Sequence, residues 1–224
     1  MRLFLRFSLA VAAVCVGTSP LHAATAGDAA RGKTRSAELF CAACHGVNGN
    51  SETAEWPAIA GQNAPYLARQ MELLRAGERM SSEMQPIAAT LTDADIADLA
   101  AYFAEQTVKT YVESGEELKA SEALYRNGDA ARAIPACSSC HGPAGKGNAE
   151  TGDPAVRAQQ PGYSVRQLEA YAKRTRYSSA RQASAQAQKT NENLEVMYQA
   201  AGKLTAEEIR GLAAYLHAMP REER

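Results

Sequence analysis

Bulky side chains are scarce in this chain. Its 224 residues include one Trp, four Phe and nine Tyr, while Ala alone occurs 46 times. Large apolar side chains contribute about 1.5–3 kcal/mol each on burial, and Ala contributes almost nothing. The length allows one or two domains, yet a chain so poor in large groups would struggle to fill two cores by itself. An excess of either charge is missing too, with 24 basic residues against 25 acidic ones. That balance excludes bulk electrostatic attraction to nucleic acid or to an anionic membrane. No segment alternates convincingly between apolar and polar residues, so strands are not expected. No apolar run reaches the roughly 20 residues that a membrane span requires.

The first segment is set apart by its pattern. Arg2 and Arg6 flank an apolar run from Leu9 to Gly17, followed by small residues near Ala23 to Ala26. A basic start, an apolar middle and a small-residue exit mark residues 1–25 as a secretory signal peptide cleaved near 23–26. A lipid-anchored reading through Cys15 fits poorly, because Ala12 and Val14 stand where Leu and a small residue are usual. The leader takes Phe4 and Phe7 with it, leaving Phe40 and Phe103, and leaves 22 basic against 25 acidic residues.

Four cysteines remain, in two pairs. Cys41-Ala42-Ala43-Cys44-His45 and Cys137-Ser138-Ser139-Cys140-His141 share the C-x-x-C-H pattern, and each is followed by Gly. Two thiols a short turn apart can add to the two vinyl groups on one haem edge, and the adjacent His then lies under the iron. A zinc ribbon would place its pairs about 15–20 residues apart, whereas more than ninety separate these. Simple dithiol chemistry has no use for the trailing histidines.

The rest of the chain repeats as well. Tyr66, Arg69 and Gln70 match Tyr163, Arg166 and Gln167 at an offset of 97, and Leu91 to Phe103 match Leu204 to Leu216 at an offset of 113. The change in offset locates a 16-residue insertion near 174–193. Two homologous units follow, residues 26–110 and 111–224, the second carrying that insertion. Helical periodicity predicts segments at about 29–41, 64–76, 115–126 and 163–174. Thr92 and Thr205 read as N-caps, with Asp95 and Glu208 three residues on. Met84 and Met197 each lie seven residues before the matched Leu. They are the candidates for the sixth iron position, since a thioether opposite His closes the iron and raises its potential. Met80 has no counterpart in the second unit, Met71 corresponds to Leu168, and Met219 follows the last helix. His217 reads as a packing or surface residue, and His22 belongs in or beside the leader.

These residues resemble the dihaem cytochrome c4 family, all-α proteins of two tandem class I cytochrome c domains related by pseudo-two-fold symmetry. The resemblance rests on CAACHGVNGN and CSSCHGPAGKGN, on PAIAGQ before Tyr66, and on the two Met…LT…LAAY tails. It implies two covalent haem c groups, one held by Cys41, Cys44, His45 and Met84, the other by Cys137, Cys140, His141 and Met197. It also implies that the Pro57 and Pro154 carbonyls receive the ring N–H of His45 and His141, and that the haem propionate edges meet between domains. Members carry electrons in the periplasm, often loosely at the membrane, from a quinol- or donor-oxidising complex to a haem–copper terminal oxidase. No substrate chemistry is expected. The competing role is the cytochrome subunit of an enzyme complex such as flavocytochrome c sulfide dehydrogenase. The chain departs from its own repeat where Trp56 and Gly61 become Asp153 and Ala158. The span from His to Met also lengthens from 39 to 56 residues. Both departures imply looser packing and greater exposure at the second haem.

Overall fold

A computed structural model describes residues 27–111, 115–179 and 192–219. The leader and most of the expected insertion lie outside them. Among the described residues the only β pairing is three isolated bridges, and the architecture is helical.

The first domain contains α1 (Ala29–Glu38), α2 (Ala42–His45), α3 (Ala64–Arg75), α4 (Met84–Ala88) and α5 (Asp93–Ala104). The second contains α6 (Glu116–Asn127), α7 (Ser138–His141), α8 (Pro161–Ala172), α9 (Glu192–Ala201) and α10 (Ala206–Ala218). α5 packs against α1 and α3, and α10 packs in the same way against α6 and α8. Both closing helices start from a complete capping box: Thr92 with Asp95, and Thr205 with Glu208. Each box acid is also gripped by an arginine from an earlier element, Arg35 to Asp95 at 2.8 Å and Arg132 to Glu208 at 2.6 Å.

The cores are small. Ile96, Leu99, Tyr102 and Phe103 of α5 meet Leu67 and Leu91 in the first domain, and Tyr125, Leu212, Tyr215 and Met219 meet in the second. Met219 is 1% exposed and belongs to this helical core. Close helix approach makes up part of the deficit. A Cβ on Gly32 would lie 2.0 Å from the Asp98 carbonyl oxygen, and one on Gly211 would lie 2.5 Å from Ser121 Oγ. Asp98 and Gly211 are equivalent at offset 113, so Gly32 and Ser121 occupy the same crossing at offset 89. The cysteine pairs are offset by 96. Seven residues have therefore been added between α6 and the second Cys pair, an insertion that sequence comparison missed. They form the turn closed by the Asp129–Ile134 bridge, and Arg132 ties it to Glu208.

The domains meet through matched contacts. The Gln62 amide donates to the Ala155 carbonyl and accepts from the Ala155 N–H, both at 2.8 Å. Gln159 does the same to Ala58, at 2.9 and 2.8 Å. Since Gln62/Gln159 and Ala58/Ala155 are equivalent pairs, these four bonds express the pseudo-two-fold axis. Arg79 Nη2 donates to Tyr163 Oη at 3.0 Å, and Arg176 Nη2 to Tyr66 Oη at 3.1 Å. Offset 97 thus persists through Arg176, so the longer insertion begins beyond it, and residues 180–191 are not described.

Candidate functional site: a cavity shared by two domains

Each C-x-x-C-H motif folds as one helical turn. The His45 N–H donates to the Cys41 carbonyl at 2.9 Å and that of His141 to Cys137 at 3.0 Å, so each imidazole follows directly after its thiol pair. Gly46 and Gly142 then turn the chain at φ 74° and 77°, a region costly for other residues. The four described cysteines form no disulfide; Cys44 is exposed and the others are partly buried. Burial pushes the Cys137 thiol up to about 11 and raises Cys41 as well. Protonated thiols are poor partners for disulfide exchange, which weighs against a simple redox dithiol.

His45 Nδ1 lies 2.9 Å from the Pro57 carbonyl oxygen, and His141 Nδ1 lies 2.9 Å from that of Pro154. Burial lowers both imidazole pKa values, against the opposing effect of these carbonyls, so the rings are held neutral with Nε2 free for a metal. Both rings line one cavity of 1760 Å³ that runs across both domains. A single small-ligand site usually occupies about 300–1,000 Å³. Both cysteine pairs, Met84 and Met197 share its wall. Met84 opens α4, where its N–H bonds Ser81 Oγ at 3.2 Å, and Met197 lies within α9. Met71 and Met80 also reach the cavity, Met80 with 56% of its surface exposed. His217 is elsewhere, stacked on Tyr111 at 4.2 Å with Nδ1 against the Gln159 carbonyl.

The lining is mainly apolar side chain, and a buried cation lies in its wall. Arg176 is 4% exposed and its Nη1 has no hydrogen-bond partner. A large apolar plate with anionic substituents, joined to thiols beside neutral imidazoles, fits this donor set. One departure from the repeat is smaller than expected. Ala158 adopts φ 53° where Gly61 has 61°, and its N–H reaches the Leu216 carbonyl at 2.7 Å, as Gly61 reaches Phe103 at 2.8 Å. The backbone path is retained at a strain of roughly 1–2 kcal/mol. The Arg79–Tyr163 and Arg176–Tyr66 pairs went unrecognised in the sequence, although their common offset was visible there.

Fold and cavity together define a c-type cytochrome built from two copies of one domain. The cytochrome c family model matches residues 29–107 and again 120–220. Cytochrome c4 of Pseudomonas aeruginosa is 35% identical over 202 residues, 90% of this chain and 92% of the relative. The reduced cytochrome c4 structure from Pseudomonas stutzeri superposes with a TM-score of 0.77 at 31% identity, covering 87% of this chain and 100% of that one. A protein named thiosulfate dehydrogenase electron acceptor, from Stutzerimonas stutzeri, is 30% identical and covers 86% of this chain and 85% of its own length. The chain belongs to the dihaem cytochrome c4 family. It is an electron-transfer protein with two covalently bound haem c groups.

Proposed function

We propose that the chain carries electrons in the periplasm between a donor-oxidising complex and a haem–copper terminal oxidase, through two haems with His/Met ligation. The thiols of Cys41, Cys44, Cys137 and Cys140 would hold the haems; His45 and Met84 would close one iron, His141 and Met197 the other. The haems supply one-electron redox chemistry. Pro57 and Pro154 accept from Nδ1 and thereby keep each imidazole aimed and basic at Nε2. The observation that carries this reading is that each domain presents a neutral His and a matched Met to one shared cavity. Export is supported by the composition of residues 1–25, and no helix among the described residues is long and apolar enough to cross a membrane.

Spectroelectrochemical titration of the wild type, Met84→Ala and Met197→Ala provides the test. Each variant is expected to lose its share of the sulfur-to-ferric-iron absorption at the red end of the spectrum. One midpoint should fall in each, because a thioether ligand favours the ferrous state. A wild-type protein with high-spin ferric haem, or without that absorption, would overturn the assignment. A second reading, electron acceptor within an enzyme complex, is favoured by the relative named for thiosulfate dehydrogenase. Purification as a stable complex with a dehydrogenase would select it, and a free carrier would exclude it.

A further inference from the structure

Arg176 is a second-domain residue packed into the seam. Its Nη2 reaches Tyr66 Oη at 3.1 Å and Gln70 Oε1 at 3.4 Å, both in the first domain, and its Nε reaches Tyr177 Oη at 3.3 Å. The guanidinium also lies 5.0 Å from the ring centre of Tyr171 and 5.5 Å from that of Tyr177. Among the described residues no ion pair involves it. A buried guanidinium without a counter-ion costs several kcal/mol, and phenols do not supply one. Burial raises the Tyr177 hydroxyl and Arg176 lowers it, for a net value of about 8. At neutral pH that phenol is still mostly protonated. Hydrogen bonds and ring faces thus satisfy three sides of the guanidinium, while Nη1 remains buried and unpaired in the wall of the cavity. Its pseudo-symmetric equivalent, Arg79, crosses the seam in the other direction and also borders the cavity.

We propose that Arg176 Nη1 binds a propionate carboxylate of the haem lying against the seam, with Arg79 as the weaker, more exposed counterpart. The proposal rests on the haems occupying the shared cavity. Geometry and charge both select a carboxylate: the site is buried and cationic and, among the described residues, has no acidic neighbour, and charge-assisted N–H···O bonds are the strong ones. The asymmetry is built into the repeat. Tyr171 and Tyr177, which enclose Arg176, correspond to Leu74 and Met80 around Arg79, so only Arg176 is boxed in by aromatic faces. A fixed positive charge at this point disfavours the ferric iron relative to the ferrous one. The two haems would therefore have different midpoints even with identical axial ligands.

The test uses the full haem-loaded protein, counting haems by the pyridine haemochrome method. Two haems per chain confirm that the cavity is filled; fewer in the wild type would count against the underlying haem assignment rather than against Arg176. In Arg176→Met, one haem should show an approximately tenfold lower ferrous-to-ferric ratio at fixed applied potential, equivalent to about 59 mV for a one-electron couple. The propionate bending band in its resonance Raman spectrum should shift as well. Arg176→Lys should hold the ratio within about threefold of wild type, because it keeps the charge, while still shifting the band. A purely packing role predicts two retained haems with unmoved titration curve and unmoved band in Arg176→Met, and that result overturns the proposal. Should Arg176→Met fail to retain both haems, Arg176→Lys decides alone: a shifted band supports the carboxylate contact and an unshifted one refutes it.

Discussion

Asp98 shows how much a single side chain can organise. Its carboxylate is 8% exposed and accepts from the Asp28 N–H at 2.7 Å and from Arg31 Nε and Nη2 at 2.7 and 2.9 Å. The bond to Arg31 and the other donors outweigh desolvation, and its pKa lies below the usual carboxylate range. Asp28 caps α1, accepting from the N–H groups of Ala30 and Arg31, so Asp98 anchors both the start of α1 and its crossing with α5. Because the folded-state pKa is depressed, the stabilisation is present above the unfolded value of about 4 and is lost as pH falls through the lower folded value. Asp98→Asn is expected to cost about 1–2 kcal/mol at neutral pH, the exposure of Arg31 reducing the gain. The difference from wild type should close as pH drops below about 4, as followed by thermal melting across pH. The second domain has Gly211 at this position, which has no side chain to serve as such an anchor.

At the level of helices, small residues set how closely the domains close around their contents. Gly32 places α1 against the α5 backbone; a methyl group there would lie 2.5 Å from the Asp98 carbonyl carbon and 2.8 Å from Tyr102 Cβ. Gly32→Ala should therefore destabilise by about 1–3 kcal/mol through forced separation of the helices. Lys33→Ala, on the exposed side, should stay within about 0.5 kcal/mol; chemical denaturation compares the two. Features of this scale were readable when their cause was local. The capping boxes at Thr92 and Thr205 follow from residues three apart, and α3 and α8 from apolar spacing with Pro near their starts. The seven-residue addition before Cys137 was invisible for the opposite reason. Ser121 takes the place of Gly32, and only their contact with equivalent positions on α5 and α10 reveals the match.

For the whole molecule, the scarcity of aromatic residues and the size of the cavity describe the same condition. The helices border 1760 Å³ that side chains do not fill, and two large apolar cofactors would complete both cores. Which residues line that space was legible for the C-x-x-C-H motifs, since thiol addition demands that spacing, and for Met84 and Met197 through their repeated position. The seam was not legible. Gln62, Ala155, Gln159 and Ala58 form polar bonds across 93 and 101 residues of chain, and no local pattern encodes such partners. Gln62→Ala removes the partners of both the N–H and the carbonyl of Ala155 in the other domain. It is expected to slow electron exchange between the haems and to shift the midpoint of the second haem more than the first; pulse reduction and potentiometry measure the two effects.

The reason for that inverted assignment lies in where the clasps attach. Gln62 grips Ala155, the residue after Pro154, whose carbonyl faces His141; Gln159 grips Ala58, the residue after Pro57, whose carbonyl faces His45. Each half of the molecule therefore holds the rudder of the other. A partner that spread the two halves would have to break the same four hydrogen bonds that hold the residues following Pro57 and Pro154.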